Sequence, residues 1–150
     1  SPATSAYNQI FREGTIEYAA NVGVDNTTIG GAATNVIFTS ELITFYRQGV
    51  NRFLNFSKRS GFAGPAVLGV AILRVGGYQL RSGQYFYSSH DRSPVDRDNL
   101  ILPEVWIDNI ESADCDKVIG PMMDVLWQSF GLDRCEYFDP ETGVYDSTGR

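Results

Sequence analysis

The stretch that most constrains the fold is residues 95–107, where a turn rich in Asp and Arg joins directly to β-prone apolar residues. Asp96 and Asp98 belong to the turn, and Pro103 and Glu104 interrupt the apolar run. Proline cannot donate a backbone hydrogen bond, so within sheets it is confined to edge strands, strand starts and bulges. The pattern therefore predicts a strand that lies at a sheet edge or carries a bulge, next to a fixed acidic corner.

Two helices are predicted from apolar residues at helical spacing. The first covers residues 41–59, and either Thr39 or Ser40 is expected to cap it through a side-chain hydroxyl. The second begins at Ser112 or Asp114 and ends where a glycine follows its apolar stripe. Both stripes are broad enough to pack a helix against a sheet.

Short β-prone runs account for most of the remaining chain. A hairpin is expected over residues 7–20, a central strand apolar on both faces over 66–75, and a further strand over 100–107. Residues 25–34 are rich in Gly, Thr and Asn and predict a loop, and 139–143 predict a turn within a closing hairpin or beside a lone strand. Runs of adjacent strands favour an α+β fold, with an antiparallel or mixed sheet and the two helices on one face.

Length and charge limit the classes of function. A chain of 150 residues corresponds to a single domain, and 43% hydrophobic residues are enough for a core. The 12 Lys and Arg against 18 Asp and Glu give a net charge of −6. Because nucleic-acid binding begins with the neutralisation of phosphates by Lys and Arg, this domain alone is not expected to bind nucleic acid. The basic residues of the first helix are assigned to its solvent side: Arg47, Arg52, Lys58 and Arg59.

Cysteine use and apolar runs indicate a compartment. Cys115 and Cys135 lie far apart and fit neither a disulfide framework nor a metal motif, which favours reduced thiols and a cytoplasmic location. No stretch reaches the roughly 18 apolar residues expected of a membrane span. The first residue, Ser1, is not Met, so the chain is expected to be processed, tagged or cut from a longer protein, and a C-terminal fragment of a larger protein is the preferred interpretation.

Three stretches together resemble a region found in bacterial proteins. They are residues 10–17, residues 68–70 followed by Gly76 and Tyr78, and residues 96–105. They are similar to the C-terminal region of proteins whose N-terminal part is a Schlafen/AlbA-type domain assigned to DNA binding, and the end of that region agrees with Leu126, Trp127 and Gly131. The resemblance implies a C-terminal part of a bacterial regulatory or defence protein. Its motifs are structural and carry no catalytic residue onto this chain.

The acidic corner also allows a metal-dependent nuclease or hydrolase that uses Asp96, Asp98 and Glu104. Mg²⁺ in such sites takes one or two carboxylates together with water and substrate phosphates. The pattern of PD-(D/E)xK nucleases is incomplete. After Glu104 and Val105 the motif requires Lys, and the chain has Trp106 there. This function stays an alternative, and neither a bound metal nor a cofactor is predicted.

A nucleophilic hydrolase would need a thiol or hydroxyl, a base and an orienting group. Cys115 lies at the start of the second helix, where the helix dipole could lower the pKa of the thiol. His90 is the single histidine and falls in a polar loop. Nothing in the sequence pairs the two, so no catalytic residue is assigned and an enzyme is the less favoured interpretation.

The preferred hypothesis is a non-catalytic module that binds a partner or assembles a larger protein. Its partner would be the remainder of its own longer chain or another protein, with homo-oligomers as a further option. A small-molecule sensor with a pocket between the long helix and the sheet is a third hypothesis. The predicted working surface combines the acidic corner with nearby aromatics: Asp96, Asp98, Glu104, Trp106, Tyr85 and Tyr87.

Overall fold

The α+β class is confirmed by the computed structural model, which describes residues 6–29, 31–82 and 94–149. Its helices are α1 (Thr39–Arg59) and α2 (Cys115–Ser129). Its strands are β1 (Ala6–Ile10), β2 (Ile16–Ala20), β3 (Gly23–Ile29), β4 (Ala32–Phe38), β5 (Ala66–Leu68), β6 (Ala71–Leu73), β7 (Tyr78–Arg81), β8 (Asn99–Ile101) and β9 (Val105–Ile107). No helix within the described ranges is both long and apolar enough to cross a membrane.

The predicted N-terminal hairpin is confirmed, whereas the loop predicted over residues 25–34 is wrong. β1 and β2 pair antiparallel, and the N–H of Phe11 closes their turn on the carbonyl of Thr15 at 2.8 Å. The stretch read as a loop contains most of β3 and the start of β4, which pair antiparallel. β4 also pairs in parallel with β7, so this sheet is mixed. Pairing on both sides of β4 outweighs the weak intrinsic β-propensity of Gly, Asn and Asp, and the β-branched Thr27 and Thr28 favour a strand.

The long helix α1 buries the apolar stripe that its spacing predicts. The buried members on this stripe are Leu42, Ile43, Tyr46, Val50 and Leu54. The predicted cap is wrong, because Phe38 is the N-cap residue and makes no side-chain capping bond. Thr39 lies inside the helix instead, fully buried, with its hydroxyl 3.0 Å from the hydroxyl of Tyr137. A buried hydroxyl needs a partner, and a distant tyrosine provides it in place of the local backbone.

Arg47 was assigned to the solvent side of α1, and the structure corrects this. Its Nε lies 2.9 Å from Oδ1 of Asp116 in the first turn of α2, with about a quarter of each side chain exposed. Its guanidinium also lies 3.6 Å from the ring centroid of Tyr145. One side chain therefore joins α1, α2 and the C-terminal segment, because a planar guanidinium can donate hydrogen bonds at its edge while stacking on an aromatic face.

Of the two predicted starts of helix α2, Ser112 and Asp114, the structure has the second. Asp114 is the N-cap residue and accepts a hydrogen bond from the N–H of Lys117 at 3.0 Å. Pro121 lies inside the helix, beyond its first turn. The helix buries Trp127 completely, and the indole N–H donates to the carboxylate of Glu136. The C-terminal turn after α2 is therefore held against the helix by both packing and a charge-assisted hydrogen bond.

The two apolar runs at 66–75 and 100–107 form one irregular antiparallel pair, here called the ribbon (residues 66–73 and 99–107). β5 pairs with β9, β6 pairs with β8, and the N–H of Leu102 donates to the carbonyl of Val70 at 2.9 Å between the two ladders. Two residues separate β5 from β6 and three separate β8 from β9, so one extra residue bulges around Pro103. The bulge predicted from the proline is confirmed.

The same substitution at one buried and one exposed leucine tests the packing of the core. Leu42→Ala removes a fully buried side chain and should lower the free energy of unfolding by about 2–5 kcal/mol, since it leaves a cavity. Leu73→Ala, on the exposed face of the ribbon, should change it by no more than about 0.5 kcal/mol. Urea denaturation followed by circular dichroism measures both. Equal losses for the two variants would contradict the packing described here.

Candidate interaction surface

The outward face of the ribbon is apolar although it is exposed. Side chains alternate strictly along the strand 66–73, so that Ile72 is buried and the next residue, Leu73, is 66% exposed. On the partner strand Leu100 is buried and Ile101 is 78% exposed. Successive side chains of a strand point to opposite faces, so these exposed residues share one side of the pair. The sequence suggested a strand buried on both faces, whereas only its even-numbered positions are covered.

A tryptophan enlarges this surface at its far end. Trp106 is 67% exposed and lies directly across from Val67 in the β5–β9 register, and Val67 is itself 44% exposed. Ala71 lies opposite Ile101 in the β6–β8 register and is exposed as well. The surface is here called the ribbon face and comprises Val67, Gly69, Ala71, Leu73, Ile101, Pro103 and Trp106. A contiguous exposed apolar patch on a folded domain often marks an interaction site, whereas single scattered apolar residues do not.

The predicted acidic residues lie beside the ribbon face and are exposed. Glu104 belongs to the bulge, two residues before Trp106. Asp98 lies at the other end, where its backbone carbonyl accepts from the N–H of Val75 at 2.7 Å. Its carboxylate oxygen would be 2.5 Å from a Cβ placed on Gly76, so a larger residue there would displace the Asp98 side chain. Asp96 is exposed two residues earlier, and these two carboxylates thus lie in the turn that leads into the ribbon.

The acidic corner does not converge on a point in space. Within residues 6–29, 31–82 and 94–149, no three Asp, Glu, Cys or His side chains lie where they could together hold a metal ion. Asp96, Asp98 and Glu104 therefore do not form a three-ligand cluster in the described part of the chain. Tyr85 and Tyr87, the other two aromatics of the predicted surface, fall outside the described residues, as does His90.

The two thiols are packed into the core and are chemically quiet. Burial, reinforced by the neighbouring Asp116, raises the pKa of Cys115 to about 11. Burial likewise raises the pKa of Cys135 to about 12. The position of Cys115 at the start of α2 does not lower its pKa, because desolvation of the thiolate by burial is the largest effect. Neither cysteine has the thiolate character that a nucleophile needs.

An open groove of about 1470 Å³ lies between the N-terminal hairpin and the strand 66–73, with α1 as its floor. Tyr18 of β2 reaches α1, where its ring stacks on Phe45 with centroids 4.6 Å apart. A Cβ on Gly49 would lie 2.4 Å from that tyrosine ring, so glycine allows the hairpin to approach the helix. Apolar side chains dominate the groove, among them Ile10, Ile16, Phe53, Phe56, Phe62 and Leu73.

Comparisons with known proteins identify no relative of the chain. No protein-family model matches the chain, no curated protein is significantly similar to it, and no solved structure matches it significantly. The functional interpretation therefore depends on the exposure, charge and packing of the residues described above.

The two tryptophans provide a direct optical test of the ribbon face. Trp106 is largely exposed and Trp127 is fully buried, so acrylamide should quench one fraction of the fluorescence, and Trp106→Phe should abolish that fraction. Because Glu104 and Asp108 flank the exposed ring, quenching by caesium relative to a free, neutral tryptophan derivative should exceed quenching by iodide on the same relative scale at least about twofold. A relative iodide quenching that equals or exceeds the relative caesium quenching would contradict the acidic surroundings of Trp106.

Proposed function

We propose that this domain is a non-catalytic binding module and that the ribbon face is its docking surface. The observation that carries the proposal is the outward row of exposed apolar side chains on a pair of strands whose inward side chains are buried. Trp106 and Ile101 would serve as anchors, since large apolar and aromatic side chains contribute most of the energy at protein interfaces. The carboxylates of Asp96, Asp98 and Glu104 would form the polar rim that surrounds such a centre.

The resemblance to the C-terminal region of Schlafen/AlbA-type bacterial proteins supplies the context of this proposal. Two of the three similar stretches lie in or against the ribbon, and the third lies in the N-terminal hairpin. In that context the partner is the remainder of a longer chain, a second protein or a further copy of the domain. The proteins concerned would be cytoplasmic and regulatory or defensive, and two free thiols suit that compartment.

Selection of random displayed peptides on the 150-residue chain tests the docking surface. Enriched peptides should carry an apolar stretch, and their affinity should fall at least about tenfold on Ile101→Ser and on Trp106→Ser, since each removes an anchor. Val144→Ser is the matched control, because Val144 is also exposed and apolar but lies outside the ribbon. All three variants should keep the melting temperature of the parent. Peptides whose affinity survives both ribbon substitutions would place the binding surface elsewhere.

The groove supports a second candidate function, that of a small-molecule sensor. Its volume of about 1470 Å³ exceeds that of most drug-sized sites, and its apolar walls suit a long apolar ligand. A thermal-shift screen against nucleotides, fatty acids and other metabolites should then yield a ligand that raises the melting temperature, because ligand binding to the folded state stabilises it. Phe56→Glu, in the groove, should reduce that shift, and Val144→Glu should leave it unchanged. No shift with any apolar ligand would remove this candidate.

A further inference from the structure

The ribbon and the residues on either side of it carry a strong excess of negative charge. Residues 94–111 contain five carboxylates, all exposed, against one basic residue, Arg97. The facing strand 66–73 has no charged residue, and Arg74 directly after it is its nearest cation. The carboxylates are Asp96, Asp98, Glu104, Asp108 and Glu111. The exposed apolar surface therefore lies within a negative field, in a chain whose net charge is already −6.

These carboxylates follow the whole length of the ribbon face. Asp98 precedes Asn99, which lies across from Leu73 at one end of the surface. Glu104 lies in the bulge between Ile101 and Trp106, and Asp108 follows β9 at the other end. An apolar side chain that docks on the face would therefore have a carboxylate nearby wherever it lies.

Within the part of the chain that the structure describes, the domain does not use these carboxylates. Among the described residues, no hydrogen bond or ion pair engages the side chain of any of the five, whereas the carboxylate of Asp116 is paired with Arg47. Charges that neither cap a turn nor pair with a neighbour do not hold the fold together. They remain available to a partner and set the potential that an approaching partner meets.

A second copy of the chain does not complement this surface. Two ribbon faces placed together would bring ten carboxylates against two copies of Arg74 and Arg97, and like charges across an interface disfavour association. The basic residues of α1 are partly engaged, since Arg47 pairs with Asp116 and the guanidinium of Arg52 lies 5.3 Å from the ring centroid of Tyr18. The ribbon face is therefore complemented by a surface that carries positive charge, which a second ribbon face does not provide.

We propose that the ribbon face binds a protein segment in which apolar side chains are flanked by Lys or Arg. The apolar side chains pack on Trp106 and Ile101, and the flanking cations meet Asp98 and Asp108 at the two ends and Glu104 between them. This inference rests on the proposed function, because it names the chemistry of the partner for the same surface. The flanks determine which apolar segment binds, since apolar contact alone does not discriminate between sequences of similar size.

Three synthetic peptides that share one apolar core and differ in their flanks test the inference on the full 150-residue chain. The flanks are lysine, serine or glutamate, and protection of Trp106 from acrylamide reports binding, because Trp127 is already buried. The lysine-flanked peptide should bind at least about tenfold more tightly than the serine-flanked one, and the glutamate-flanked one most weakly. Raising the salt concentration from about 0.05 to 0.5 M should remove most of this preference.

Neutralised variants identify the charges responsible. Combined Glu104→Gln and Asp108→Asn should reduce the preference for lysine flanks about threefold or more while leaving the serine-flanked peptide unaffected. Glu141→Gln is the matched control, because Glu141 is an exposed carboxylate in the turn before Val144 and lies outside the ribbon. An unchanged preference in the double variant, with a parent-like melting temperature, would overturn the assignment to these carboxylates.

The outcomes separate the two proposals. Equal protection of Trp106 by all three peptides would overturn the inference about charge and leave the ribbon face as a docking surface. Protection by none of them would overturn both. Concentration-dependent self-association that buries Trp106 without any peptide would identify a second copy as the occupant and would also overturn the inference.

Discussion

The fold depends on the burial of one face of α1. Leu42 and Ile43 near its start and Val50 and Leu54 further along are all inaccessible or nearly so, and they belong to the same core as the inward residues of the ribbon. Tyr46 extends this contact, since its hydroxyl lies 3.4 Å from the carbonyl of Ala71 in β6. The three two-stranded sheets have too few strands to be stable alone, so the helix provides the apolar surface on which they assemble.

The ribbon packs on this core with one side only, and its other side is exposed. Both of its strands are edge strands among the described residues, because β5 and β6 pair only with β9 and β8. The buried row of Val70, Ile72, Leu100 and Leu102 anchors the pair. Nothing described covers the outward row. The apolar side chains of the inward row are therefore needed for stability. Those of the outward row are not, and they are free to contact a partner.

The elements that could be predicted are those whose signals are local. The helical spacing of α1, the cap at Asp114 and the bulge at Pro103 each follow from a few neighbouring residues. The errors arise where a distant contact decides: Thr39 is bound by a tyrosine 98 positions away, and Arg47 by an aspartate 69 positions away. The acidic corner was located from sequence, but the exposure of Val67, Leu73 and Ile101 was not, because alternation within a wholly apolar run has no local signal.

The same carboxylates resolve a hazard that the exposed strands create. Open edge strands with apolar side chains invite pairing with other chains, and charged residues on or near such edges are a common protection against it. Asp98, Glu104 and Asp108 place repulsion between any two copies of the ribbon face. A partner that carries positive charge experiences the same field as attraction. In the proposed docking role, protection from self-association and selection of a basic partner would be one property of this surface, and removing the charge would weaken both together.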